Sequence, residues 1–418
     1  MKKKIVFVTP IYLPAPLYGS DNAVRILAED FAAAGQDVTV VTSDGATPRY
    51  WYDPLFGKKM NTTKDTFNGV RVLRLPSQQW ITSAAFILER VFGYLLPMSV
   101  RNKMRIVSSG PYLGGLFELL QKEQFDVVHC SPFPLEINQQ VFDGIERLKK
   151  KPYVILTPFF HAEVESYHNK ELGSILEKTD CIHVISNAEK KQIEALYPVS
   201  QGKTRVIPLY IRTRTMHTAD ALEHDVLLFK RRYGIEHRKV VLFAGLKGSM
   251  KGALTTLAAV KSLYQEDKSI VLVAIGHNTT EWNEVLKSSD TTPYLVDFGY
   301  VEESTKEIIF ASCDVFCMPS KSETFGYVYL EAWHKRKPVI GCNLGPTQEL
   351  IERNKGGIVV QFAREHEVEK ALSLLLSDSE KRRRLGRNGY AALIKNYSEQ
   401  ALILSYKRLF EVKTYEKK

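Results

Sequence analysis

The chain has 418 residues, a formal net charge of +10 and a sequence pI near 9.1, with 44% hydrophobic and 25% charged residues. Its length exceeds one ordinary hydrophobic core, so two domains are expected, and its composition is that of a soluble globular enzyme. The positive balance favours phosphorylated small molecules or an acidic membrane surface as partners. Nucleic acid is disfavoured, because the basic runs are short and no nucleic-acid module is present.

The first segment, MKKKIVFVTP, has too short an apolar run for a signal peptide and passes directly into a strand. Behind it, IYLPAPLYGSDNAVRILAEDFAAAG reads as a loop and a helix, with Ser20 or Asp21 as cap and Gly35 as stop. Gly19 would let the backbone approach a ligand, and the helix N-terminus offers N–H groups to an anion; an ordinary loop glycine is at least as good a reading. GxGxxG is absent, which disfavours a dehydrogenase. DVTVVT (37–42), DVVHC (126–130), YVILT (153–157) and CIHVIS (181–186) continue a series of buried parallel strands with amphipathic stretches between several of them.

Between DVTVVT and DVVHC lies WITSAAFILERVFGYLLPM (80–98), interrupted by Glu89, Arg90 and Pro97 and therefore a poor membrane span. Its Trp80, Phe86, Ile87, Phe92 and Tyr94 interleave with Arg71, Arg74, Arg90, Arg101, Lys103 and Arg105. That pattern suits peripheral contact with an acidic membrane, while packing of the aromatics as core is the plainer reading. After YVILT, His161 stands four residues past Thr157, where an imidazole either hydrogen-bonds a substrate hydroxyl or phosphate or packs beside Phe159 and Phe160.

The segment 209–239 starts without a clear strand and links to a second series: VVLFAG (240–245), IVLVAIG (270–276), YLVDFG (294–299), DVFCMP (314–319) and PVIG (338–341). In FAGLKGSMKGALTTLAAV, Lys251-Gly252 opens a helix after a strand, where a lysine adds full charge to the dipole and suits a diphosphate; no Walker A spacing is present. Cys313 and Cys317 have no histidine or second cysteine pair to complete a metal site. All five cysteines are expected as free, mostly buried thiols of a reducing compartment.

In DVFCMPSKSETFGYVYLEAWHKRKPVIG, a strand and a Pro-Ser turn lead to Glu323, then a Thr324-Phe325-Gly326 link and a helix carrying Glu331. Glu323 then lies beside free N–H groups, and the two oxygens of Glu331 suit a vicinal diol. The plainer reading is helix electrostatics: Glu323 favouring the positive end of the dipole and Glu331 pairing with Lys335 four residues on. From 364 to 412 the pattern is helical. The sum is two doubly wound α/β domains with ligands expected beyond the carboxyl ends of the strands. Their spans are 1–208, a linker over 209–239, 240–395, and a C-terminal helix over 396–418 that packs back on the first domain.

These segments resemble the retaining glycosyltransferases of family 4, whose frame PSxxExFGxxxLEAxxxxxPVI is matched by Pro319-Ser320, Glu323, Phe325-Gly326, Leu330-Glu331-Ala332 and Pro338-Val339-Ile340. The Gly19 loop, TPFFH, Ser186, Lys251-Gly252 and GPTQELI (345–351) extend the likeness over nearly the whole chain. The resemblance implies the GT-B fold, two Rossmann-like parallel-sheet domains facing across a cleft. It also implies transfer of a sugar from a nucleoside diphosphate sugar to a carbohydrate or lipid-linked acceptor hydroxyl, with retention and without metal or other cofactor. It places Glu323, Thr324, Phe325 and Gly326 at the transferred sugar or phosphate, Glu331 at the ribose, Lys251 at the diphosphate, Gly19 near the phosphates and His161 at the reacting centre. The glutamates, Lys251 and His161 thus carry donor binding and catalysis in a cytoplasmic enzyme, peripheral at the membrane's cytoplasmic face if the segment 71–105 makes that contact. Three departures from the frame occur: Leu246 where an arginine is usual, with Lys247 one step on as its replacement candidate; Lys337 before PVI; and Gly345-Pro346 for Gly-Gly. Another GT-B activity, an epimerase or a phosphorylase, or an inactive binding protein of the same fold, are the rival readings.

Overall fold

The computed structural model describes residues 2–17, 19–53, 57–160, 164–288 and 290–411. The chain divides into two compact units, Met1–Ile207 with Ser405–Lys418, and Pro208–Leu404. No helix among the described residues is long and apolar enough to cross a membrane.

The first unit is built on eight strands: β1 (Lys4–Val8), β2 (Asp37–Ser43), β3 (Lys64–Phe67), β4 (Val70–Leu75), β5 (Val127–Cys130), β6 (Tyr153–Leu156), β7 (Cys181–Val184) and β8 (Thr204–Val206). They lie in the order β3-β4-β2-β1-β5-β6-β7-β8. Only the β3–β4 pair is antiparallel. Continuous apolar runs such as IVFV and VVHC are buried throughout, as strands covered on both faces require. The helix after β1, Gly19–Ala33, starts earlier than the expected cap. Ser20 and Asp21 therefore fall inside its first turn, and Asp21 is buried with Thr9 Oγ1 donating to its Oδ1 at 3.1 Å. The stop at Gly35 is as read: its N–H bonds Ala32 O at 2.9 Å.

The second unit holds β9 (Lys239–Ala244), β10 (Ile270–Ile275), β11 (Leu295–Asp297), β12 (Val315–Cys317), β13 (Val339–Cys342) and β14 (Gly357–Val360), all parallel, in the order β11-β10-β9-β12-β13-β14. The chain winds outward from β9 in one direction and from β12 in the other, so the strand order reverses between them. That reversal leaves a crevice at the carboxyl ends of the two strands, where open α/β sheets bind ligands. All five cysteines are free and buried.

One polar chain runs across the first sheet. His183 Nε2 lies 2.7 Å from Ile207 O and must donate to it, which makes Nδ1 an acceptor for the Thr157 hydroxyl at 2.8 Å. Thr157 Oγ1 then accepts from His129 Nε2 at 2.7 Å. The order requires a neutral His183, while His129 donates from Nε2 in either protonation state; burial keeps both rings neutral, pushing His129 down to about 3 and His183 to about 4. Below the ordinary value near 6.5 the unfolded chain takes up protons that the folded chain refuses. Stability from these histidines is therefore fully present above that pH and is lost as pH falls toward the folded-state values. Chemical unfolding at pH 7 and pH 5 should show the wild type losing about 2 kcal/mol more than His129→Gln, which keeps the donor and cannot titrate. Equal losses would contradict a neutral buried ring.

Candidate active site

The crevice between β9 and β12 is formed by two turns pinned to each other. After β9 the chain makes a short 3₁₀ turn, Ser249–Lys251, then Gly252 and the helix Ala253–Glu266. After β12 it runs through Pro319-Ser320 to Glu323 and into the helix Tyr327–His334. Lys321 N–H donates to Met250 O at 2.9 Å, and Lys251 Nζ donates to Ser322 O at 2.9 Å. Gly252 has φ +77°, and a Cβ there would stand 2.4 Å from Pro319 O, so only glycine lets the turns approach this closely.

Lys251 Nζ also reaches Glu323 Oε1 at 2.7 Å, which brings together the two residues expected to handle diphosphate and sugar. The pair is partly exposed, with 33% of the Lys251 side chain and 15% of that of Glu323 open to solvent. Glu323 caps no helix. The helix starts four residues later, behind Gly326 at φ +82°, without a side-chain cap. Phe325 is buried against Tyr327 and Tyr397, which fixes the link that carries Thr324, Phe325 and Gly326. The apolar ring anchors the link while its backbone turns toward the helix start.

Glu331 sits one turn inside that helix and does not pair with Lys335. Its Oε1 accepts from Lys306 Nζ at 2.9 Å, while Oε2 is buried with no hydrogen-bond partner among the described residues. Burial alone would push the Lys306 ammonium down; the charges of Glu331 and Glu303 outweigh it and hold the ammonium above its ordinary value. Lys335 is fully buried and bonds Glu307 Oε2 at 2.7 Å and the His217 carbonyl, so the expected i,i+4 pair is replaced by a contact with a neighbouring helix. Lys306 carried no motif and lies 25 positions before Glu331. Only the folding of helix Glu303–Ser312 beside Tyr327–His334 reveals it.

The remaining candidates are placed as follows. Lys247 is fully buried, its Nζ on Asp297 Oδ1 at 2.6 Å and on the Phe298 carbonyl. Its charge is already neutralised in the core, so the diphosphate contact expected of it does not fit this geometry. Leu246, at the usual arginine position, is 52% exposed. In the first unit Gly19 begins its helix, and no atom of the described residues lies within 4 Å of where a Cβ would stand. His161 lies outside the described residues. Phe159 and Phe160 before it are buried, and Phe160 N–H donates to Glu189 Oε1 at 2.7 Å.

Residues 227–392 match the family model "Glycosyl transferases group 1". An uncharacterized glycosyltransferase of Methanocaldococcus jannaschii is 23% identical over 409 residues, covering 94% of both chains. Among solved structures, sucrose-phosphate synthase from Thermosynechococcus elongatus superposes with a TM-score of 0.73 at 18% identity, covering 98% of both chains. HepE of Anabaena in complex with UDP-glucose gives 0.70 at 14% identity, covering 98% of this chain and 100% of that one. The fold is GT-B, and the second unit, with the pinned turns and both glutamates, contains the stretch that matches the group 1 glycosyl transferases.

Proposed function

We propose that the protein is a retaining glycosyltransferase that moves a sugar from a nucleoside diphosphate sugar to an acceptor hydroxyl in glycoconjugate synthesis, working in the cytoplasm. The observation that carries the reading is the Lys251–Glu323 pair at the β9/β12 crevice, with the half-satisfied Glu331 one turn inside the helix that follows. A group 1 match over the second unit and solved structures of the same fold, one of them holding UDP-glucose, support the same donor class.

Magnitudes favour exchange at this pair. A partly exposed ion pair contributes about 0–1 kcal/mol, whereas each hydrogen bond between a charged group and a diphosphate contributes roughly 1.5–3 kcal/mol. A diphosphate arriving at Lys251 therefore displaces Glu323, whose carboxylate is freed for the sugar's hydroxyls. Lys251 and the start of helix Ala253–Glu266 meet the negative charge that grows on the leaving group. The C1–O bond to the diphosphate breaks with its electron pair passing to the phosphate oxygen. The acceptor oxygen attacks the same face, and its proton goes to that departing oxygen. Glu323 stabilises the oxocarbenium-like centre between the two events. Buried Glu331 Oε2 leaves an acceptor unmet, at a cost of about 1–3 kcal/mol, and a ribose diol supplies the donors it lacks.

Three outcomes follow from these roles. Glu331→Ala should weaken the donor and the free nucleoside diphosphate alike by roughly 1.5–3 kcal/mol in calorimetric titration; unchanged affinity in a folded variant removes the ribose assignment. Glu323→Gln should lower kcat by a large factor and leave nucleoside diphosphate affinity nearly intact, because its interaction is made mainly in the transition state. Near-normal turnover with a lowered melting temperature would mean that Glu323 is structural. Turnover should also survive EDTA while Lys251→Ala loses it, since the ammonium and backbone N–H groups carry the charge; inhibition reversed by manganese refutes the metal-free route.

A further inference from the structure

The helical hairpin formed by Gln79–Phe92 and Met98–Ser108 in the first unit has its amphipathic pattern turned outward. On the first helix Trp80, Ile87, Leu88 and Val91 fall at i, i+7, i+8 and i+11, one stripe of a 3.6-residue period, and every one is exposed. The buried side chains of the same helix are Thr82 and Ala85, small and on the opposite face. Trp80 is 72% and Tyr94 is 78% exposed, with Leu95 and Met98 at the bend exposed as well. Packing of this segment as core, the plainer expectation, is therefore overturned for its largest side chains.

The charge fringe is narrower than the sequence pattern suggested. Arg71 is held by Glu123 and Thr39, and Arg74 is buried on Asp65 and the Leu13 carbonyl. Within the hairpin, Glu89 binds both Arg101 and Arg105 at 2.9 and 3.0 Å. Arg105 also reaches Glu165 Oε1 at 3.3 Å, while Arg90 and Lys103 remain exposed, so the four cations of residues 79–108 stand against Glu89 and Glu165.

We infer that this hairpin is an interfacial anchor that seats the protein on an anionic lipid surface, its outward apolar stripe entering the headgroup boundary and its cations meeting the lipid phosphates. Tryptophan and tyrosine at the most protruding positions suit the interface, where an apolar ring and a polar edge are both accommodated. The charge excess selects an anionic bilayer over a second copy of the chain, which would set like charge against like. Binding is read without turnover, so its failure and that of the glycosyl-transfer reading are separate results.

The test is flotation of the full chain at low salt with vesicles of phosphatidylglycerol and phosphatidylcholine, against phosphatidylcholine alone. Co-flotation with the anionic vesicles only is expected. Trp51, Trp282 and Trp333 are buried, so a blue shift of tryptophan fluorescence on adding vesicles reports Trp80, and it should vanish in Trp80→Phe. Arg90→Glu with Lys103→Glu should weaken vesicle affinity at least about twentyfold, each cation contributing roughly fivefold near an anionic surface. Ile87→Glu with Val91→Glu should abolish flotation without moving the melting temperature. Absence of flotation at low salt overturns the proposal. So does a concentration-dependent dimer, seen by sedimentation and dispersed by Ile87→Glu, in a protein that ignores vesicles.

Discussion

The close approach of two turns, Ser249–Gly252 after β9 and Pro319–Glu323 after β12, is the constraint on which the candidate site depends. β9 and β12 are hydrogen-bonded neighbours, pairing Val241 with Val315 and Leu242 with Phe316, so their outgoing turns must cross the same small area. Two conditions allow it: no Cβ at residue 252, and a backbone bond from Lys321 to Met250 O. Below the turns, Tyr329 donates its hydroxyl to Met318 O at 2.6 Å and fills the space against which Gly326 closes. A ring from the helix thus fixes the strand end, the strand end fixes the turn, and the turn fixes Glu323. Lys251 reaches that carboxylate because its own turn has nowhere else to go.

The second unit divides its lysine–carboxylate pairs by burial. Lys335–Glu307 and Lys247–Asp297 have fully buried ammonium groups, and replacing either partner would strand an unpaired charge in the interior, at about 3–5 kcal/mol. Lys251–Glu323 and Lys306–Glu331 remain partly open and can trade partners at far lower cost. Lysine and carboxylate therefore do two jobs, and exposure separates architecture from exchange. In the first unit the buried acids stand differently. Burial pushes Glu136 up to about 8 and Glu189 to about 7, and Glu189 holds the backbone N–H groups of Phe160 and Ile185, each at 2.7 Å. That carboxyl ties the end of the TPFF segment to the start of helix Asn187–Leu196.

All ten apolar runs read from the sequence are strands, because buried parallel strands cannot disguise their continuous hydrophobicity. The four missed are short or interrupted by charge. β3 and β4 read KDTF and VRVLRL, the second with arginines three positions apart and so on opposite faces, yet the Asn68-Gly69 dipeptide between them was a usable hairpin signal. In the candidate site, Lys251, Glu323 and the Phe325-Gly326 link stood out because they lie in short contiguous stretches that match a family frame. The roles of Lys306, Lys335 and Lys247 did not, because their partners come from other elements and no periodicity within one helix encodes a neighbour's position. Lys247 shows the limit most plainly: one residue from the usual cation position, it points into the core and neutralises Asp297.

The spacing of seven residues between the two glutamates has a geometric reason. Glu323 ends an extended turn, and the left-handed Gly326 breaks direction so that the helix beginning at Tyr327 starts on a new axis. Glu331 is the fifth residue of that helix, about 6 Å along it, or just over one turn. One carboxylate is therefore placed by a loop at the mouth of the crevice and the other by a helix face beside a second helix, where Lys306 waits. Lengthening the helical part by one residue would rotate Glu331 by about 100° away from Lys306, and shortening the link would remove the left-handed turn. The two carboxylates are thus held by two different geometries, an extended link for Glu323 and a helical turn for Glu331.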